Sequence, residues 1–163
     1  MKIFIILVTA LLVFSCSDTT DPEEIYLTLK FTPSSQIIQI GENANFTVSI
    51  AEAKNIFAFS CEIVFTENIA SISEDSFLVG AFWNNEQTIS LNVIEEGIYS
   101  VAIGLEGTGG IDGNGDLFSF EMSGLEQGSC NLEFQNITLL DDEGISLTDS
   151  SEIDVSGGEL VVE

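Results

Sequence analysis

The sequence predicts an all-β fold in which two antiparallel sheets pack face to face. Three observations predict it. Short runs that alternate apolar and polar residues recur from Ile25 onward, clusters of Gly, Asn, Asp and Pro separate them, and no stretch carries a capped helical period. A hydrophobic content of 45% and a mean hydropathy of +0.34 place a packed core beneath the charge. The length of 163 residues suits a single domain.

The first segment stands apart from the fold. Lys2 precedes Ile3 to Phe14, which are apolar except for Thr9, and Ser15-Cys16 follow. A bilayer core of about 30 Å needs about 20 helical residues, so this run predicts a signal-peptide core rather than a span. Val13-Phe14-Ser15-Cys16 resembles a bacterial lipobox. That resemblance implies removal of residues 1–15 and lipidation of the Cys16 sulfur; an ordinary secretory leader with an incidental cysteine is the alternative. Residues 16–24 are acidic, polar and Pro-containing, and predict a solvated tether. They resemble the acidic stretch after the lipidated cysteine in surface-exported lipoproteins of the Bacteroidetes type, which implies the outer membrane or cell surface.

Residues 25–163 form the predicted sandwich. Its alternating runs are Ile25 to Phe31, Phe46 to Ile50, Phe57 to Phe65, Thr88 to Val93, Tyr99 to Ile103, Leu117 to Met122 and Leu132 to Leu140. Turn chemistry falls between them at Pro33-Ser34-Ser35, Gly41-Glu42-Asn43, Asn84-Asn85, Glu95-Glu96-Gly97, Asp112 to Gly115, Glu126-Gln127-Gly128 and Asp142-Glu143-Gly144. The one helical candidate, Ala51 to Asn55, is too short to stand alone. Regularly spaced strands with one apolar face are how a two-sheet sandwich reads in sequence.

Charge and composition exclude several functions. Three Lys and no Arg against 27 acids give a formal charge of −24, so the chain lacks the basic footprint that nucleic-acid phosphates require. The same charge repels anionic headgroups, leaving lipid as the only predicted membrane anchor. With no His, imidazole bases, Ser-His-Asp triads and His-ligated zinc are all ruled out. Gly107-Thr108-Gly109-Gly110 matches neither a dinucleotide fingerprint nor a phosphate loop. Acid pairs alone could serve a glycosidase, yet a sandwich this small offers little room for a cleft. A non-catalytic protein without an obligatory cofactor is the prediction.

The cysteines add a constraint. Cys61 and Cys130 both fall on inward phases of their strands, so in an exported protein they are either a bridge or two separate buried thiols. A bridge would contribute about 4 kcal/mol in the chain-entropy model.

The segments from Asn45 to Glu163 resemble a cohesin module in their order. Gly41 to Ile50 is similar to that family's opening alternating strand, and Phe57 to Phe65 to its long third strand. The third strand ends in Phe65-Thr66 where the family has Tyr-Asp. Gly110 to Phe120 is similar to a Gly-Asp hairpin leading into a strand, and Leu140 to Ile145 to a late Asp-Gly turn. The resemblance implies a nine-stranded jelly-roll sandwich that binds a dockerin module on one exposed sheet. Carried onto this chain by alternation, the partner face comprises Ser60, Glu62, Thr88, Ser90, Asn92, Ser100, Ala102, Asn131, Glu133 and Gln135. Such a face would be flat, small and polar.

Two alternatives accompany that expectation. Asp112, Asn114 and Asp116 alternate with glycines, a pattern open either to a loose structural Ca²⁺ turn or to a plain Asn-Gly hairpin; Leu117 and Ser123 in the EF-hand Gly and Glu positions exclude an EF-hand. Polysaccharide binding is the alternative function, and Trp83 beside Asn84-Asn85 is its one candidate stacking platform.

Overall fold

The computed structural model describes residues 27–84, 88–148 and 153–163. The leader, Cys16 and the tether lie outside these residues. Along the chain run β1 (Leu27–Thr32), β2 (Ser35–Ile38), β3 (Asn43–Ile56), β4 (Ala58–Val64), β5 (Ala70–Ile72), β6 (Leu78–Val79), β7 (Thr88–Glu95), β8 (Ile98–Leu105), β9 (Ile111–Gly124), β10 (Gly128–Leu140), β11 (Ile153–Ser156) and β12 (Gly158–Val162). One sheet has the order β11-β1-β3-β9-β5, with β6 also paired to β9; the other is β2-β12-β10-β4-β8-β7. The predicted two-sheet, all-β sandwich is therefore the observed one. The described residues hold twelve strands rather than nine, because short strands such as β2, β5, β6 and β11 complete the margins of the long ones.

Alternation explains the long strands. In β4, Phe59, Cys61 and Ile63 are buried while Ala58, Ser60, Glu62 and Val64 are half-buried on the other face. β1 buries Leu27, Leu29 and Phe31 in the same rhythm. Between the sheets the phenylalanines assigned to the core meet as rings: Phe31 stacks on Phe134 at 4.4 Å, and Tyr99 meets Phe120 edge-on at 5.3 Å.

Ala51 to Asn55 is not a helix but the bulged end of β3. Its register with β9 shifts between Ile50 and Ala53 and again before Ile56, with Glu52 and Asn55 left-handed at φ 57° and 53°. Asn114 and Asp112 of β9 stabilise these two irregular residues. The Asn114 Oδ1 accepts the Glu52 N–H at 2.7 Å, and the Asp112 Oδ1 accepts the Asn55 N–H at 2.6 Å. Asp116 accepts from the Ser49 hydroxyl at 2.7 Å.

Trp83 corrects a sequence expectation. It lies on a short 3-10 turn (Ala81–Trp83), is 1% exposed, and donates its indole N–H to the Leu117 carbonyl at 2.9 Å. The ring that was to stack on sugar is part of the core.

Cys61 and Cys130 are free, buried thiols, which settles the choice against a bridge. The Cys130 sulfur accepts the Thr66 N–H at 3.2 Å. Cys61 lies five positions before Thr66, about 16 Å at ~3.3 Å per residue, far beyond the Cα separation a disulfide tolerates. Burial, and secondarily the Glu62 carboxylate, raises the Cys61 thiol well above its ordinary value of 9.0; burial also raises Tyr99. Both groups bind their proton more tightly when folded. Their contribution is thus complete below the ordinary thiol pKa and is lost as pH rises above it. The thermal midpoint should fall between pH ~8 and pH ~11, and Cys61→Ala should flatten the first part of that fall. A midpoint that stays level over this range would contradict the burial of these groups.

Candidate protein-docking face

The outward side of β10-β4-β8-β7 gathers most of the face residues expected from sequence. Ser60 and Glu62 of β4 sit beside Ala102 and Ser100 of β8 in antiparallel register. On the other flank Glu133 and Gln135 pair with Val64 and Glu62, and Asn131 continues the same side of β10 toward Glu159 of β12. A bulge at Asn136 turns its amide onto the Glu62 carboxylate, donating at 2.6 Å.

β7 is the correction. Thr88, Ser90 and Asn92 were expected outward, but they share the inner side with Leu105, Ile103 and Val101. The outward residues are Ile89, Leu91 and Val93, which pair with Gly104, Ala102 and Ser100 and are 65%, 64% and 43% exposed. The cause is the hairpin turn. Glu96 and Gly97, both at positive φ (47° and 78°), form a two-residue connection that sets Glu95 against Ile98 and hence Ile94 against Tyr99. Tyr99 is a core residue, so Ile94 faces inward and the rest of β7 follows in steps of two. Val93 and Ile94 are adjacent apolar residues, and only the turn decides which of them sets the frame.

The face is therefore not flat and polar throughout. Ile89 and Leu91 form a ridge, Ala58, Ser60, Ala102 and Gly104 a floor of small side chains, and Thr138 with Leu140 the opposite wall, around a depression of about 340 Å³. Toward the β7–β8 turn the lining adds polar groups, Ser100, Glu62 and Asn136, beside Leu91 and Val93. Glu95 and Glu133 are exposed at that end. Lys30 and Lys54 lie on β1 and β3, in the opposite sheet, so this face carries carboxylates and no cation among the described residues.

The suggested calcium ligands are not brought together as a chelating turn. Asp112, Asn114 and Asp116 are alternate residues of an extended strand, about 7 Å apart, and each directs an oxygen to β3. Among the described residues no group of three His, Cys, Asp or Glu is placed to hold a metal ion.

No family model matches the chain, and no curated protein matches it significantly. Solved structures do. A non-cellulosomal cohesin from the archaeon Archaeoglobus fulgidus superposes with a TM-score of 0.66 at 19% identity, covering 85% of this chain and 90% of that one. The fold is that of a cohesin. A chain of a type II cohesin–X-dockerin complex from Acetivibrio cellulolyticus gives 0.67 at 17% identity over 85% of this chain and 99% of its own. A chain of a type I cohesin–dockerin complex from Clostridium thermocellum gives 0.66 at 15% identity over 85% and 100%. The cohesin fold thus extends over nearly the whole length of these structures.

Proposed function

We propose that this chain is a non-catalytic binding module that captures a dockerin-type protein module on the outer face of β10-β4-β8-β7. A lipid on Cys16 would hold it at the cell envelope, at the outer membrane or cell surface. The observation that carries the docking reading is the face itself: exposed aliphatic side chains around a floor of small residues, with carboxylates at one end. Exposed apolar surface rimmed by polar groups is a common mark of protein association. The cohesin fold, seen in complexes with dockerins, supports the partner class, and the lipobox-like Val13 to Cys16 supports the anchor. Polysaccharide binding loses its platform with the burial of Trp83.

Titration calorimetry with the purified dockerin modules of the Acetivibrio and Clostridium complexes tests this reading. At least one should bind with a Kd of about 1 µM or tighter. Ala102→Arg, which fills the floor with a long cation, should abolish the heat of binding while leaving the thermal midpoint in place. Absence of binding by every dockerin, or binding that Ala102→Arg leaves intact, would overturn it.

A further inference from the structure

We infer that the free edge of β7 is a second interaction surface, independent of what occupies the docking face, and that it accepts an extended basic segment of another protein as an added antiparallel strand. β7 is the last strand of its sheet and runs for eight residues in unbroken register with β8. The other margins are short: β2 and β11 have four residues each, β5 three and β6 two. Proteins ordinarily blunt a long edge with proline, lysine, a bulge or a covering element. Thr88 to Glu95 contain no proline and no lysine, and no bulge interrupts them.

The hydrogen-bond phase shows which groups are on offer. Glu96 and Gly97, at φ 47° and 78°, form a type I′ turn, so Glu95 and Ile98 exchange both backbone hydrogen bonds across it. The same exchange recurs at every second residue and ties Val93, Leu91 and Ile89 to β8. The N–H and C=O groups of Thr88, Ser90, Asn92 and Ile94 therefore point away from β8, with no further strand beyond them among the described residues. Ser90 is exposed although it lies on the inner side, so the edge is open to solvent there.

Side chains and charge specify the strand that fits. Residues of an added strand opposite Ile89, Leu91 and Val93 share the outer side with three exposed aliphatic side chains and gain by being apolar. Those opposite Ser90 and Asn92 meet polar side chains and carry the ladder bonds. Glu95 and Glu96 are exposed at one end of β7, and Glu106 is exposed at the other, next to the Leu105 that pairs with Thr88. The described lysines, Lys30 and Lys54, are on the opposite sheet. A segment with Lys or Arg at both ends is attracted, whereas a second copy of this chain, of formal charge −24, is repelled. Antiparallel addition continues the run from β12 through β10, β4 and β8 to β7, each antiparallel to the next, and such pairs are slightly the more stable per residue.

Amide methylation tests the edge directly, because it removes a hydrogen-bond donor without changing charge. The probe is a synthetic peptide in which Val alternates with Thr between paired lysines, so that Val falls opposite Ile89, Leu91 and Val93. Methylating the Thr amides, which face β7 in this register, should weaken binding to the wild type about tenfold or more. Methylating the Val amides, which face solvent, should change it by less than about twofold. Asn92→Pro removes an edge N–H that no bond to β8 uses, a substitution that edge strands tolerate. It should weaken the unmodified peptide about tenfold with the thermal midpoint in place; were it to unfold, the methylated peptides still decide. Raising the salt to about 1 M should weaken binding. No binding, equal binding by the two methylated peptides, full binding by folded Asn92→Pro, or binding that salt strengthens would overturn the inference. So would a protein that sediments as a dimer and excludes the peptide, since the edge would then belong to a second copy.

Discussion

Replacing Trp83 by alanine is expected to reduce stability by about 3–5 kcal/mol, enough to unfold much of a marginally stable domain. The side chain is 1% exposed and packs edge-on against Phe82 at 5.3 Å. Its N–H shares the Leu117 carbonyl with the Gly80 N–H, which approaches at 2.8 Å. Alanine would empty a large volume and remove one of two bonds to that carbonyl. Trp83→Phe should be much milder, since it retains most of the ring volume and the Gly80 bond still satisfies the carbonyl. Urea denaturation followed by far-ultraviolet circular dichroism measures both. A Trp83→Ala midpoint close to wild type would show that the indole is not a core residue.

Gly80→Ala should be the other severe change, by overpacking rather than by a cavity. A Cβ built on Gly80 would lie 2.0 Å from the Asp116 carbonyl oxygen and 2.4 Å from its carbon. Both are backbone atoms of β9, so no side-chain rotation relieves the contact. The turn that carries Trp83 must lift away from β9, at about 3 kcal/mol or more. Gly41→Ala provides a contrast, because nothing lies within 4 Å of its Cβ. Its penalty is confined to the strain of alanine at φ 83°. A Gly80→Ala midpoint no lower than that of Gly41→Ala would contradict the close approach of this turn to β9.

The reach of the sequence follows from which forces act locally. Phe59, Cys61 and Ile63 could be assigned to the core because β4 has one face on the other sheet and one toward solvent, so burial and alternation agree. β7 could not be assigned that way. It is the last strand of its sheet, and Ser90 is exposed even though it is on the inner side, so burial imposes little pattern there. The turn residues Glu96 and Gly97, with Tyr99 already assigned to the core, were the available signal for its frame. Trp83 looked like a loop-edge residue because two turn formers, Asn84 and Asn85, follow it directly. Its partner carbonyl is 34 residues away. Asp112 and Asn114 were legible as oxygen donors beside glycine, but not as acceptors for β3 amides, since that depends on register shifts between strands distant in sequence.

The position of β12 constrains the order of assembly. It is inserted between β10 and β2, antiparallel to one and parallel to the other, and it is the final strand of the fold. During vectorial synthesis β2 emerges early and then waits more than a hundred residues for its neighbour. Closure of that sheet is consequently a terminal event dominated by long-range pairing, which is intrinsically slow. Until β12 arrives, β2 has no neighbour in its sheet.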